Sequence, residues 1–312
     1  MSPEISIIIP AYNAASTIAA SIQSVQNQTI QDWELFVIDD GSTDRTLACL
    51  QSIAEQDRRI QVISHTNQGV SATRNLGIEQ AQGEFITFLD ADDLWLPDKL
   101  AAHMQHMQFN HELAVSFGRV AFINQEGKLT GQISTSQLKD LQLADLLYEN
   151  PTTTTSNLFV RRRIFEQAGF FATDMSFAED LEWLCRAIWL TKGKIEGIDR
   201  VLMQYRTSQG GLSSDLERME TGWEVLMGKV KAYAPDEVQK HYAIARAIHL
   251  RYLARRASRL GLPPKVGVDF MNRAFQSDLR IWFRQPHRTL LTALVTYGRY
   301  IYFTIVKNKG KR

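Results

Sequence analysis

Residues Gly83–Asp93 read GEFITFLDADD: a glycine, a short run of apolar and strand-forming residues, then three aspartates within four positions. Glu84–Leu89 is too short for a typical helix and fits a buried strand. Upstream, three more runs have the same character: Ile5–Ile9, closed by Pro10; Glu34–Ile38, ending in Asp39-Asp40-Gly41; and Ile60–Ile63. Helical spacing fills the gaps. Ile18, Ile22 and Val25 share one face, and Leu47, Leu50 and Ile53 another, with Ser42 placed to cap that second helix. Val70–Ala81 reads as a helix stopped by Gly83, and Pro97 opens a further one. Strands alternating with helices predict an α/β fold with a mostly parallel sheet covered on both faces. Such sheets bind ligands at the carboxyl ends of their strands. Tyr12-Asn13, Asp39-Asp40 and the Asp90–Asp93 group all lie at such ends.

The pattern then loosens. Ala114–Ile123 and Asn157–Val160 read as strands, and Ile195–Tyr205 as a strand pair or a strand with a turn. Thr152–Thr155 reads as an extended polar loop and Arg161–Arg163 as a solvated basic turn. Ala178–Trp189 reads as a helix that begins with Glu179-Asp180. From Asp215 onward the spacing is helical, broken at Pro235, Pro263-Pro264 and Pro286. This divides the chain into a first region over 1–212, with halves at 1–110 and 111–212, and a helical region over 213–312.

Of the 312 residues, 44% are hydrophobic and 22% charged, which excludes a disordered chain, a collagen or a disulfide scaffold. The net charge of +1 hides an asymmetry. Residues 240–312 hold 16 Lys and Arg against only Asp269 and Asp278, so an acidic body carries a basic tail. Such a tail suits an anionic surface. Cys49 and Cys185 stand outside any C-x-x-C and read as reduced core residues of a cytoplasmic protein. No secretory signal opens the chain. The nearest candidate span, Leu290–Val306, is interrupted by Gly298 and Arg299.

Three crowded carboxylates, Asp90, Asp92 and Asp93, repel one another unless a cation intervenes. Oxygen ligands without neighbouring His or Cys favour Mg²⁺ or Mn²⁺; the bland alternative is a solvated helix cap. Asp39-Asp40 fits a turn, or a carboxylate that accepts a nucleobase ring N–H. Tyr12 offers a ring face for stacking. Arg74 is either an exposed helix arginine or a contact to base or phosphate. Glu179-Asp180 suits a helix first turn, or a general base for an acceptor hydroxyl. Trp183 either packs in the core or floors an acceptor pocket. His103 and His106 lie on an ordinary helix, and the chain has no P-loop, no G-x-S-x-G and no dinucleotide fingerprint.

SIIIPAYN (Ser6–Asn13), VIDDGSTD (Val37–Asp44), NQGVSATRNLG (Asn67–Gly77) and GEFITFLDADD (Gly83–Asp93) together resemble glycosyltransferase family 2. The likeness is close over 5–110 and looser near 155–206, where AEDLEW (Ala178–Trp183) is similar to the family's acceptor-side acidic motif. It ends by about residue 215. The resemblance implies an inverting enzyme of the GT-A fold that uses a nucleotide-diphosphate sugar. Pro10, Tyr12 and Asp40 would line the base pocket, with Asp39 beside them and Asp40 accepting the ring N–H. Arg74 would contact base or diphosphate. Asp90 and Asp92 would form the metal-binding D-x-D, Asp92 as direct ligand to Mn²⁺ or Mg²⁺ and Asp93 in support. Asp180 would be the catalytic base. The Q-x-x-R-W motif of processive synthases is missing, since Gln204-Tyr205-Arg206 does not reproduce it; this favours transfer of single sugars. Uridine is the favoured base, with thymidine and guanosine left open.

Two other classes compete. A nucleotidyltransferase needs a glycine-rich basic loop after the first strand, and Ala11–Ser16 is neither. A non-catalytic nucleotide-sugar-binding protein has no need of Asp180. Nucleic acid is not expected at the basic tail, which lacks a motif beyond charge. The tail is expected instead to form helices that dock on the cytoplasmic face of a membrane without crossing it, through Leu291, Leu294, Val295, Tyr302 and Ile305. Lys307, Lys309, Lys311 and Arg312 would add charge there, and a glycan or lipid-linked acceptor would be the partner.

Overall fold

The computed structural model describes residues 3–207 and 215–309. The chain forms two compact units. The first runs to Leu143 and takes in Asn150–Met175 and the segment from Glu179. The second holds Ala144–Glu149, Ser176–Ala178 and the C-terminal helices.

The elements follow the chain as β1 (Ile5–Ala11), α1 (Ile18–Gln26), β2 (Trp33–Asp39), α2 (Thr46–Ala54), β3 (Ile60–Ser64), α3 (Val70–Gln80), β4 (Phe85–Phe88), β5 (Leu94–Trp95), α4 (Lys99–Phe109), β6 (Leu113–Ile123) and β7 (Leu129–Ile133). After these come α5 (Leu143–Tyr148), β8 (Phe159–Arg161), α6 (Arg162–Ala168), α7 (Glu179–Thr191), β9 (Lys194–Arg206), α8 (Leu216–Tyr233), α9 (Pro235–Arg259), α10 (Pro264–Ser277), α11 (Ile281–Arg284) and α12 (Pro286–Lys309).

The sheet order is β3-β2-β1-β4-β8-β6-β9-β5, with β7 paired to β6. β1 to β4 run parallel, as do β6 and β9, and these pairs make up most of the ladder. β8 is antiparallel to both β4 and β6. Every residue of β1 and β2 is buried, which is why these strands are continuous apolar runs rather than alternating ones. Each fully buried isoleucine of β1 contributes about 1.5–3 kcal/mol of transfer free energy. The polar exceptions are paired: Glu34 accepts from the Ser6 hydroxyl at 2.6 Å and the Gln82 N–H at 2.8 Å. Gly83 is required here, because a Cβ would lie 2.7 Å from the Ser6 backbone nitrogen.

Four local expectations change. Ser42 does not cap α2, which begins only at Thr46; its hydroxyl accepts the Asn13 N–H at 2.9 Å. Ile195–Tyr205 is a single strand, part of the 13-residue β9. Arg161 is not solvated. It is buried and donates to the Leu113 and Met107 carbonyls at 3.0 and 2.8 Å, and pairs with Glu84. Thr152, Thr154 and Thr155 are buried as well, with Thr153 at φ 73°. Both cysteines are free thiols, as expected.

In the second unit, Leu250, Leu253 and Ala257 of α9 pack with Phe270 and Met271 of α10, Leu216 and Met219 of α8, and Ala293 of α12. Among the described residues, no helix is long and apolar enough to cross a membrane.

Candidate active site

Because β1, β2 and β4 are parallel, their carboxyl ends lie along one edge of the first unit's sheet. At the end of β1, Asn13 adopts φ 50°, a left-handed conformation that asparagine tolerates better than most residues. Its side-chain oxygen accepts N–H groups from Thr43 at 2.8 Å and Asp44 at 3.3 Å. This stitches the end of β1 to the turn after β2. The sequence reading noticed Asn13 only as part of a polar pair; an asparagine directly after a strand was the available signal. Beside it Tyr12 is 52% exposed, its ring open to a ligand. Pro10 is buried within β1, opposite Ile38.

The two aspartates that end β2 do different work. Asp40 is buried, and its oxygens accept the Gln68 N–H at 2.7 Å and the Gly69 N–H at 3.0 Å. Gly69 sits at φ 89°, a conformation that suits glycine, and leads straight into α3. Asp40 therefore clamps the loop between β3 and α3. Asp39 accepts the Ser64 hydroxyl at 3.0 Å on one oxygen, while its Oδ1 is buried without a hydrogen-bond partner. A buried carboxylate oxygen left unpaired is costly. Asp39 thus keeps a buried acceptor without a partner, whereas each oxygen of Asp40 already accepts a backbone N–H.

Arg74 is not an exposed helix arginine. It is 4% exposed, and its Nη2 donates to Asp90 at 2.7 Å while its Nη1 donates to Glu179 at 2.8 Å. Burial alone would lower its pKa, but the charges of Asp90 and Glu179 outweigh burial and raise it. The guanidinium also lies 5.9 Å from the Phe171 ring. Asp90 is held further by its own N–H on the Ser156 hydroxyl at 2.9 Å and by the Thr154 hydroxyl at 3.3 Å. The Thr152–Thr155 stretch thus packs under the site instead of ranging over the surface.

The three aspartates around β5 also separate. Asp92 is partly exposed, and burial together with the Asp90 charge pushes it up to about 6. Asp93 has no exposed surface. It turns into the core, accepts the Arg206 N–H at 2.9 Å, and is raised well above the usual range by burial and by Asp90 and Asp92. Among the described residues, no group of three His, Cys, Asp or Glu side chains converges to hold a metal. Of the three carboxylates, Asp90 and Asp92 keep exposed surface, and a divalent cation there would relieve their mutual repulsion. Oxygen donors without nitrogen or sulfur fit Mg²⁺ or Mn²⁺.

Asp180 opens α7 next to Glu179. One oxygen accepts the Asn150 amide at 2.8 Å and the other the Leu181 N–H at 2.8 Å. Burial, then the Glu179 charge, lifts it to about 6; the Leu181 N–H, Arg74 and Asn150 oppose the rise. A carboxylate of that kind is mostly ionised at neutral pH yet basic enough to take a proton. Asn150 was missed by the sequence reading, since nothing marks a lone loop asparagine as the partner of an acid 30 residues away. Trp183 resolves to the core: it is fully buried, stacks on Phe165 at 4.4 Å and donates to the Gly169 carbonyl at 2.8 Å.

Residues 6–169, just over half of the chain, match the family model described as glycosyl transferase family 2. The chain belongs to glycosyltransferase family 2. An uncharacterized glycosyltransferase of Haemophilus influenzae is 43% identical over 139 residues, covering 44% of this chain and 55% of its own length. The chain thus spans about half of that relative, and about a third of two similar proteins of Rickettsia. The Escherichia coli protein named UDP-Glc:alpha-D-GlcNAc-diphosphoundecaprenol beta-1,3-glucosyltransferase WfgD is 29% identical over 229 residues, 71% of this chain and 85% of that one. Among solved structures, Staphylococcus aureus TarS 1–349 in complex with UDP-GlcNAc superposes with a TM-score of 0.58 at 20% identity, covering 88% of each chain. At that identity the likeness shows the GT-A fold of this family 2 member.

Proposed function

We propose that this family 2 member moves a single hexose from a nucleotide-diphosphate sugar, with uridine as its base, to a hydroxyl of a lipid-linked glycan, in the assembly of cell-surface polysaccharide. The observation that carries the reading is the Arg74 bridge. It gathers the strand-end carboxylate Asp90 and the Glu179-Asp180 pair of a distant helix around one guanidinium. The E. coli relative, named as a UDP-Glc-dependent glucosyltransferase acting on a diphosphoundecaprenol-linked sugar, supports the donor and acceptor classes.

In this reading, Tyr12 stacks on the base and Asp39 Oδ1 accepts its ring N–H, while Asp40 keeps the pocket wall in shape. Pro10 stiffens the end of β1 beneath the base. Asp90 and Asp92 would hold a Mn²⁺ or Mg²⁺ ion, which when bound would offset the charge that develops on the leaving diphosphate. Arg74 positions Asp90 and Glu179, and its positive charge keeps the acidic site from repelling an anionic donor. Asp180 takes the proton from the acceptor hydroxyl as that oxygen attacks the anomeric carbon from the face opposite the diphosphate. The new C–O bond forms as the bond to the diphosphate oxygen breaks, so an α-linked donor gives a β-linked product.

A thermal-shift panel of uridine, thymidine and guanosine diphosphates with Mn²⁺ tests the donor. Selective stabilisation by uridine diphosphate is expected; stabilisation by guanosine diphosphate alone would replace the base assignment. Donor hydrolysis and transfer by Asp180→Asn separate an enzyme from a binder. A variant that binds donor but has lost transfer supports the mechanism, and wild-type turnover sinks it.

A further inference from the structure

A helix on the surface of a folded unit usually turns its apolar side inward and its polar side to water. α12 does the reverse. Thr289, Thr292 and Thr296 are buried, with Ala293 between them, against the rest of the second unit. Leu290, Leu291, Leu294, Val295, Ile301, Tyr302 and Ile305 are all exposed, Leu291 at 63% and Tyr302 at 71%. Their spacing of three and four places them on one continuous stripe, interrupted only by Gly298, along a helix about 36 Å long. Arg299 does not break that stripe. Its side chain turns back and donates to the Ser258 carbonyl near the end of α9 at 2.7 Å. An apolar stripe of this extent, opposite an inward face of buried threonines, is the kind of surface that marks a partner or a membrane.

The net charge of the tail that carries it selects that partner. Residues 240–312 carry 16 Lys and Arg and two Asp. Just before α12, Phe283 is 87% exposed at a cleft that it lines with Lys240, Arg280 and Arg284. A second copy of the same basic unit would bring like charges together. An anionic bilayer complements both the charge and the stripe. We propose that α12 lies flat in the interface of an anionic membrane, with Leu291, Leu294, Val295 and Tyr302 below the headgroups and the net positive charge of the tail drawn to the phosphates. The arrangement holds the chain on the surface without crossing it. The inference stands on the second unit alone and does not depend on the donor or acceptor chosen above.

The test is flotation of the full chain with vesicles of phosphatidylcholine, with and without phosphatidylglycerol, at low and high salt. Light scattering on the same samples gives the oligomeric state. The wild type should float with the anionic vesicles at low salt and much less at high salt or with neutral ones. Leu291→Gln/Leu294→Gln/Tyr302→Gln should lose at least tenfold in vesicle partitioning. Transfer to a short soluble acceptor should stay unchanged in that variant, so a failure of docking reads separately from a failure of the enzyme assignment. A wild type that stays in solution with anionic vesicles, or a triple variant that floats as well as wild type, overturns the proposal. So does a wild-type dimer that the triple substitution turns into a monomer, because a second copy then covers the stripe.

Discussion

Asp90 and Glu179 sit on the two arms of one buried guanidinium, that of Arg74, at 2.7 and 2.8 Å. One carboxylate ends a strand and the other begins a helix far along the chain, so the arginine ties together two acidic motifs. Arg74→Met should leave both acids without their cation. Breaking a buried pair in this way costs about 3–5 kcal/mol. Urea denaturation of the variant should show that loss, and adding Glu179→Gln to Arg74→Met should recover part of it. A stability equal to wild type would mean the bridge carries no weight.

Asp180→Asn should lower transfer by about 10²–10⁴-fold, the usual range for a lost general base. In the wild type, transfer should rise with pH through about 6, where Asp180 loses its proton, and this acidic limb should vanish in the variant. The folded-state value lies above the unfolded one. Ionised Asp180 therefore costs stability, fully once the pH exceeds about 6 and not at all below the unfolded value. The inactive variant should thus melt higher than wild type at pH 7, with the gain fading toward pH 4.

The neighbours Asp39 and Asp40 should respond in opposite ways to the same change. Asp40→Asn disturbs two backbone N–H contacts and should cost about 1–3 kcal/mol of stability. Asp39→Asn should fold normally but weaken uridine diphosphate binding by about tenfold or more, roughly 1.4 kcal/mol. Calorimetric titration beside thermal melts distinguishes the two. Equal effects on binding from both variants would argue against the assignment to Asp39.

Manganese should raise the melting temperature of the wild type in the presence of uridine diphosphate, and Asp92→Asn should lose that increment. Chelator should reduce transfer to background. Full turnover in excess chelator would remove the ion from the mechanism. The same ion should pull Asp92 down from about 6, since a nearby cation favours the carboxylate.

Lys99 is fully buried on α4, with its Nζ 3.0 Å from His103 Nε2, and burial pushes it down to about 7. Below that value the folded chain carries a penalised ammonium; the penalty fades as the pH climbs toward the unfolded value of 10.5. Lys99→Met should therefore stabilise the protein most near pH 6 and least near pH 10. A pH-independent difference between the two melting curves would count against a charged, buried Lys99.

The parts of this fold that the sequence made legible are those where neighbours in the chain carry the signal. β1, β2 and β4 are runs of apolar residues with aspartates at their ends, and periodicity alone locates them. The polar residues misread as solvated are those whose partners come from elsewhere. Arg161 disappears under carbonyls of Met107 and Leu113, and Thr154 lies under Asp90. His103 sits on a helix that looks ordinary, yet it stacks on Phe159 at 5.2 Å and bonds the Ser116 hydroxyl at 2.8 Å. Composition cannot tell a paired buried cation from an exposed one. Asp39 and Asp40 show the same limit: adjacent identical residues, of which one clamps a loop and the other keeps an unpartnered oxygen, told apart only by the loop that comes to rest on the second. In the tail, the exposed positions 291, 294, 295, 302 and 305 were legible from spacing, whereas the burial of the threonines opposite them was not. Lys311 and Arg312 lie outside the described residues.

Asp40 grips residues 68 and 69 by their backbone amides, so the course of the loop between β3 and α3 is fixed without reference to which side chains it displays. Gln68 is exposed there. On the proposed reading of this sheet edge as a donor site, substitution at position 68 would change what an incoming nucleotide meets while the loop keeps its course. On that reading the scaffold would be inherited while the donor preference drifts: a lineage, or a designer, could vary position 68 with little threat to folding.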